Sequence, residues 1–177
     1  IYNIADLHFI RLNREYEVTG NPRCKKEAIR YKKVESKFLN MADRCVTVSA
    51  DEAELMSRIV DKSKICIYPI FCYDVCREPS RSYVNGNELI FVGSNVPPDL
   101  LSFSSDCVIF YNHVSDSNLS DLYRNSSVCV IPLRFGAGVK GKTLEAMYNS
   151  IPIVSTSIGI EGMPGIRDYI VPKENAE

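Results

Sequence analysis

Apolar residues recur with two different periods along this chain, and the alternation between the periods predicts most of its elements. The opening IYNIADLHF alternates weakly between apolar and polar positions and predicts a strand ending near Asp6 to His8. From Lys25 to Ala42 the period lengthens. Ala28, Tyr31, Val34, Phe38, Leu39 and Ala42 fall at helical spacing and predict an amphipathic helix that buries that face, while Lys25, Lys26, Arg30, Lys32, Lys33 and Lys37 occupy the other. RCVTVS predicts a short buried strand, and Ser49 with Glu52 three residues on forms a capping box for a helix through DEAELMSRIV. KICIYPI predicts the next strand. The stretch FCYDVCREPSRSYVNGNE then shows no period and reads as a linker, dividing the chain into units 1–68 and 69–177. Beyond it ELIFVGS, DCVIFYN and VCVIPL predict strands, with a short helix in SNLSDLYRNS. A glycine-rich stretch, a helix in TLEAMYNS and a strand in IPIVSTS that ends in GIEG complete the chain. Strands alternating with helices predict an α/β fold with a largely parallel sheet.

The glycine-rich stretch GAGVKGKT satisfies the G-x-x-x-x-G-K-[ST] pattern of a P-loop, with Gly136, Gly141, Lys142 and Thr143 at the fixed positions. A strand before it and a helix after it supply the local context of a nucleotide phosphate cradle. A P-loop NTPase also needs an acidic residue at the end of a neighbouring strand to hold magnesium. The one strand that follows, IPIVSTS, ends in Ser155, Thr156 and Ser157. The NTPase reading is therefore the lesser alternative. Three glycines so placed allow positive φ and a close approach of amide N–H groups to phosphate oxygens, with a helix N-terminus behind them.

Composition changes this picture little. Of 177 residues 45% are apolar and 24% charged, with a net charge of -1, which is ordinary for a globular protein and offers no overall attraction to nucleic acid. The seven cysteines form no C-x-x-C pair, and several lie inside apolar runs, so they read as buried thiols of a reducing compartment. Cys72, Cys76 and His113 match no zinc spacing. The first residues lack the features of a secretory leader. The chain reads as a piece of something longer.

The wider stretch VCVIPLRFGAGVKGKTLEAMYNSIPIVSTSIGIEGM, closely from Arg134 to Gly162, resembles the donor-binding segment of group-1 glycosyltransferases of the GT-B fold. ADRCVTVSADEAEL resembles the last strand and helix of that class's N-terminal domain, ELIFVGS the first strand of its C-terminal domain, and IADLHFIRLNRE the segment in which the class places a histidine facing the donor sugar. The resemblance implies an incomplete pair of Rossmann-like parallel-sheet domains, with 1–68 the end of the first and 69–177 a shortened second. It implies retaining transfer of a sugar from a nucleoside diphosphate donor to a glycan or lipid-linked acceptor, in surface polysaccharide synthesis, without a metal or other cofactor. On that basis His8 orients the sugar, Lys140 and Arg134 stabilise the departing diphosphate, and Gly136, Gly138, Gly141 and Lys142 cradle it. Glu145 accepts the ribose hydroxyls and Glu161 faces the ligand. The expected location is cytoplasmic, with a peripheral contact of the basic helix face at the inner side of the membrane as a further expectation. The chain departs from the class at Leu133 and Arg134, where many relatives carry a glutamate, and in the short run between ELIFVGS and DCVIFYN. Those departures favour a non-catalytic nucleotide-binding module as the alternative, with this piece inactive on its own.

Overall fold

The computed structural model describes residues 1–68 and 88–173. Its elements run β1 (Tyr2–Ile4), α1 (His8–Thr19), α2 (Pro22–Met41), β2 (Cys45–Thr47), α3 (Ala50–Ser57), β3 (Ile65–Ile67), β4 (Leu89–Val92), α4 (Pro98–Leu101), β5 (Val108–Tyr111), α5 (Asp116–Asn125), β6 (Cys129–Ile131), α6 (Gly141–Tyr148) and β7 (Ile153–Ser155). Short 3-10 turns lie at Lys62–Lys64, Ile158–Ile160 and Ile166–Asp168. All pairing between these strands is parallel, in a three-stranded sheet of order β1-β2-β3 and two pairs, β4-β5 and β6-β7. The fold is the α/β class that the alternating periods predict. The linker expected over residues 71–88 lies, but for Glu88, outside the described residues.

The first sheet carries the larger core. Ile4, Leu7, Phe9, Leu39, Cys45, Met56 and Val60 form one buried cluster, in which Leu7, Leu39 and Met56 are fully enclosed. Each such side chain contributes about 1.5–3 kcal/mol relative to exposure. A second cluster, Ile160, Ile166 and Ile170, lies in the loops beyond β7.

Helix α1 corrects the sequence reading. The strand expected to run to Asp6–His8 stops at Ile4, and His8 is the first residue of a 12-residue helix. No local signal announces that helix, because its N-cap, Leu7, makes no side-chain cap. Its N-terminal amides are satisfied from far along the chain. Glu52 Oε1 accepts from Leu7 N (3.2 Å), Glu35 Oε1 from His8 N (3.0 Å) and Glu35 Oε2 from Phe9 N (3.2 Å). Two buried carboxylates thus replace the missing cap.

Helix α2 is where the periodicity predicts it but begins three residues earlier, with Asn21 accepting from Arg23 N and Pro22 in the first turn, where its missing N–H costs nothing. Its buried face is Cys24, Ala28, Glu35 and Leu39, while Tyr31, Val34 and Phe38 are exposed. The stripe is rotated because Glu35 occupies it to reach α1. Likewise only half of the expected capping box forms at α3. Ser49 Oγ accepts from Glu52 N (3.2 Å), but the Glu52 side chain turns inward to Leu7 and to the Thr47 hydroxyl (2.9 Å).

Burial pushes the Glu52 carboxyl above the ordinary carboxylate range, against the hydrogen bonds from Thr47 and Leu7 that lower it. The folded chain therefore holds a proton at Glu52 more tightly than the unfolded chain does. The contribution of this group is most favourable at acid pH and declines as pH rises from the ordinary carboxylate value through the raised one. In Glu52→Gln the amide keeps an acceptor for Leu7 N and gains a donor for Thr47. Urea midpoints should therefore shift in favour of the variant as pH is taken from acid to neutral, and a constant difference at all pH would show that the charge at Glu52 is not what costs stability.

Candidate functional site

Residues 132–140 connect β6 to α6, and the loop after β7 contains the 3-10 turn Ile158–Ile160 followed by Glu161. β6 and β7 are parallel neighbours, Cys129 opposite Ile153 and Ile131 opposite Ser155, so both loops leave the carboxyl edge of that pair. The carboxyl edge of the first sheet leads into Asp6, Leu7 and His8 after β1 and into Ser49 and α3 after β2. These two edges meet. A Cβ on Gly138 would stand 2.6 Å from Ala5 O and 3.3 Å from Asp6 Cβ, and one on Gly162 would stand 3.0 Å from Ser49 Cβ. Gly162 N also donates to Asp51 Oδ2 (3.1 Å). Gly138 and Gly162 both adopt positive φ, 68° and 78°, whereas Gly136 and Gly141 do not, so the expectation of three left-handed glycines holds at Gly138 alone.

Arg14 of α1 ties the edges together. Its Nη1 donates to Gly136 O and to Glu161 Oε2, and its Nη2 to Glu161 Oε1, each at 2.7 Å. The pair is bidentate and half-buried, a geometry far stronger than an exposed ion pair. Sequence reasoning missed Arg14, because it sits on the helix that no local signal predicts.

The named site residues divide between these contacts and the solvent. Lys140, the N-cap of α6, is folded back into the loop, with its ammonium donating to the carbonyls of Ala137 (2.9 Å) and Gly138 and standing 3.8 Å from Glu161 Oε2. Its side chain is only 10% exposed, and burial lowers the readiness of its amine to hold a proton, with Glu161 acting in the opposite direction. Gly136 leaves room for the lysine stem, since a Cβ there would lie 3.1 Å from Lys140 Cε. Arg134 and Lys142 are exposed. Glu145 lies one turn into α6, half-buried, and accepts from the Tyr123 hydroxyl of α5 (3.2 Å). Thr143, the residue a P-loop would turn toward magnesium, is fully buried and donates to Gly159 O (2.6 Å), so its hydroxyl is already engaged.

His8 stands at the first-sheet side. Its Nδ1 faces Glu35 Oε1 at 3.1 Å and Asp6 Oδ1 at 3.5 Å, and its ring lies on that of Tyr31, 5.3 Å away and 12° from parallel. Glu35 was visible in the sequence only as a charged residue in the buried helical register, four positions before Leu39 and seven after Ala28.

A small open cleft lies between α1, the start of α3 and the glycine loop, bordered by Arg14, Asp51, Glu52 and Glu161. With Glu161 already paired to Arg14, its lining adds Asp51 and Glu52 and no further cation, which does not favour a diphosphate. The outer side of the glycine loop, with Arg134 and Lys142, carries the accessible positive charge. Among the described residues no group of three or more His, Cys, Asp or Glu is arranged to hold a metal ion, and Cys72 and Cys76 lie outside them.

Comparison with known proteins matches this half of the chain to a family. The model described as "Glycosyl transferases group 1" covers residues 70–177. An "Uncharacterized 44.6 kDa protein in cps region" of Klebsiella pneumoniae is 32% identical over 79 residues, which cover 45% of this chain and 20% of that protein. The matched stretch therefore spans about a fifth of that relative's length.

The seating of the loop on residues 5–6 separates two of its glycines. Gly138→Ala would force a Cβ against Ala5 O at a positive φ and should cost about 1–3 kcal/mol. At Gly141, where nothing lies within 4 Å of a Cβ, alanine should be neutral or stabilising by up to about 1 kcal/mol. Urea denaturation of the two variants tests this, and equal losses would mean that the loop does not rest on the first sheet.

Proposed function

Because the chain belongs to the group 1 glycosyltransferases, we propose that it takes part in transferring a sugar from a nucleoside diphosphate donor to a glycan or lipid-linked acceptor, with retention, in surface polysaccharide synthesis. The observation that carries this reading is the meeting of two carboxyl sheet edges at a glycine loop, with Gly138 seated against Ala5 and Asp6. Ligands of open α/β sheets bind outside the carboxyl ends of the strands. In a GT-B arrangement, residues 1–68 and 69–177 form the two sides of the donor cleft. The cps-region relative supports a polysaccharide product.

Within that reading the diphosphate lies on the outer side of the glycine loop, against Arg134, Lys142 and the backbone of Gly141 at the start of α6, while Gly136 and Gly138, both buried, shape the loop. Lys140 holds the loop in shape from within, because its ammonium is already bound to two loop carbonyls and lies near Glu161. Glu161 in turn anchors Arg14 and so contributes indirectly. Glu145 receives the ribose hydroxyls, with the Tyr123 hydroxyl fixing its carboxylate. His8 faces the sugar. Negative charge grows on the diphosphate as the glycosidic bond breaks, and the exposed cations with the α6 N-terminus stabilise it there, so the reaction needs no metal in this proposal. Among the described residues no helix is long and apolar enough to cross a membrane. The exposed basic face of α2 suits a peripheral contact with an anionic inner leaflet, where a lipid-linked acceptor would be met.

Calorimetry with uridine and with UDP, each with and without a chelator, tests this division of labour. Arg134→Ala should weaken UDP by roughly 1.5–3 kcal/mol and leave uridine nearly unchanged, more so at low salt. Lys140→Ala should weaken both alike, because it loosens the loop. Glu145→Gln should also weaken both. UDP binding abolished by the chelator, or a UDP-selective loss at Lys140 and none at Arg134, would overturn the assignment.

A further inference from the structure

Glu35 does more than close the end of α1. Its Oε1 accepts from the His8 backbone amide at 3.0 Å and also faces the imidazole Nδ1 of the same residue at 3.1 Å. Its Oε2 accepts from Phe9 N, so the carboxylate is held at both oxygens and cannot rotate away from the ring. Asp6 Oδ1, buried and without a hydrogen-bond partner, stands 3.5 Å from the same Nδ1. A nitrogen that faces two carboxylate oxygens must carry hydrogen, since a lone pair there would be repelled by both. In a neutral imidazole the other nitrogen is then bare. The ring cannot readily turn over to exchange them, because it is stacked on Tyr31, and the side chain is 45% exposed, so its far edge reaches solvent.

We propose that Glu35 is a positioning residue for His8: it fixes the imidazole as the Nδ1–H tautomer and presents Nε2 as a hydrogen-bond acceptor toward a hydroxyl of the donor sugar. The tautomer follows from the geometry of α1 and α2 alone. The sugar hydroxyl rests on the glycosyltransferase reading given above. In that tautomer Nε2 accepts a hydrogen bond, where Arg14, Lys140, Arg134 and Lys142 only donate. An acceptor of that kind fits a sugar hydroxyl and not a phosphate oxygen.

The chain has two histidines, so nitrogen-15 spectra of the imidazoles in alkaline buffer resolve His8 directly, with His113→Gln giving the assignment. The expected result is hydrogen on Nδ1 and a bare Nε2 at His8. Hydrogen on Nε2 would overturn the proposal, and this measurement needs no variant that risks unfolding. In Glu35→Gln, with folding checked by circular dichroism, the amide oxygen can still serve a backbone N–H, but the carboxylate field at Nδ1 is gone. His8 should then shift toward the Nε2–H form. An unchanged tautomer would show that Glu35 is only a helix cap. Adding UDP-glucose should move the His8 Nε2 resonance while UDP alone does not, and binding without that movement would remove the acceptor role. If calorimetry finds that neither nucleotide binds, the proposed donor-binding role fails and the acceptor role falls with it, whereas the tautomer still decides whether Glu35 positions the ring.

Discussion

Three consecutive backbone amides, those of Leu7, His8 and Phe9, end on two buried carboxylates, and much of the described structure hangs from them. A helix start inside a protein needs partners for its free N–H groups, and water or a local Ser, Thr, Asp or Asn usually supplies them. Here Glu52 from α3 and Glu35 from α2 do so instead, at 3% and 4% exposure. Burying a carboxylate is costly unless its oxygens are well bonded, and both of these are bonded at each oxygen. The same helix start is a natural site for an anion. Because internal carboxylates fill it, that helix start is closed to an external anion.

Orientation then passes from α1 to the glycine loop through Arg14. With its start fixed, α1 delivers the guanidinium to Gly136 O and Glu161, and the residues before it offer the Ala5 carbonyl and Asp6 as the surface on which Gly138 rests. The loop is thus shaped from two sides, by Arg14 and residues 5–6 without and by Lys140 within. Charge settles which cations are free for a ligand. Glu161 stands beside both Arg14 and Lys140, and Asp6 and Glu52 add to the negative field at that lysine. Arg134 and Lys142 stand outside this compensated group.

What the sequence made legible is what local spacing encodes. The strand, glycine loop and helix from Cys129 to Tyr148 and the strand Ile153–Ser155 form a contiguous unit whose apolar runs and punctuation agree, and the structure places each where the pattern does. Helix α1 was illegible because its cap lies 26 to 45 residues away, and Arg14 was lost with it. Lys140 shows a different limit. A lysine in a glycine loop looks like a phosphate ligand in sequence, yet whether its ammonium faces outward depends on Glu161 and on the loop carbonyls, which no spacing rule reports. Glu35 was legible in principle, since a carboxylate in a buried helical register must find donors, but the donors it would find belonged to an element not foreseen.

These facts together explain why polar groups rather than apolar area define the cleft. Its walls contribute Leu7, Ile10 and Leu55, but what fixes their spacing is the bidentate Arg14–Glu161 pair and the Gly162–Asp51 contact. Apolar packing is tolerant of small displacements, whereas a bidentate pair at 2.7 Å is not. Under the proposed function, a site holding a diphosphate, a ribose and a sugar at once would benefit from that intolerance, because a shift of about 1 Å between the holding groups and the reacting centre is enough to lose most of the advantage of prepositioning. The carboxylates buried at the start of α1 are therefore a structural requirement of the cleft that Arg14 helps to frame.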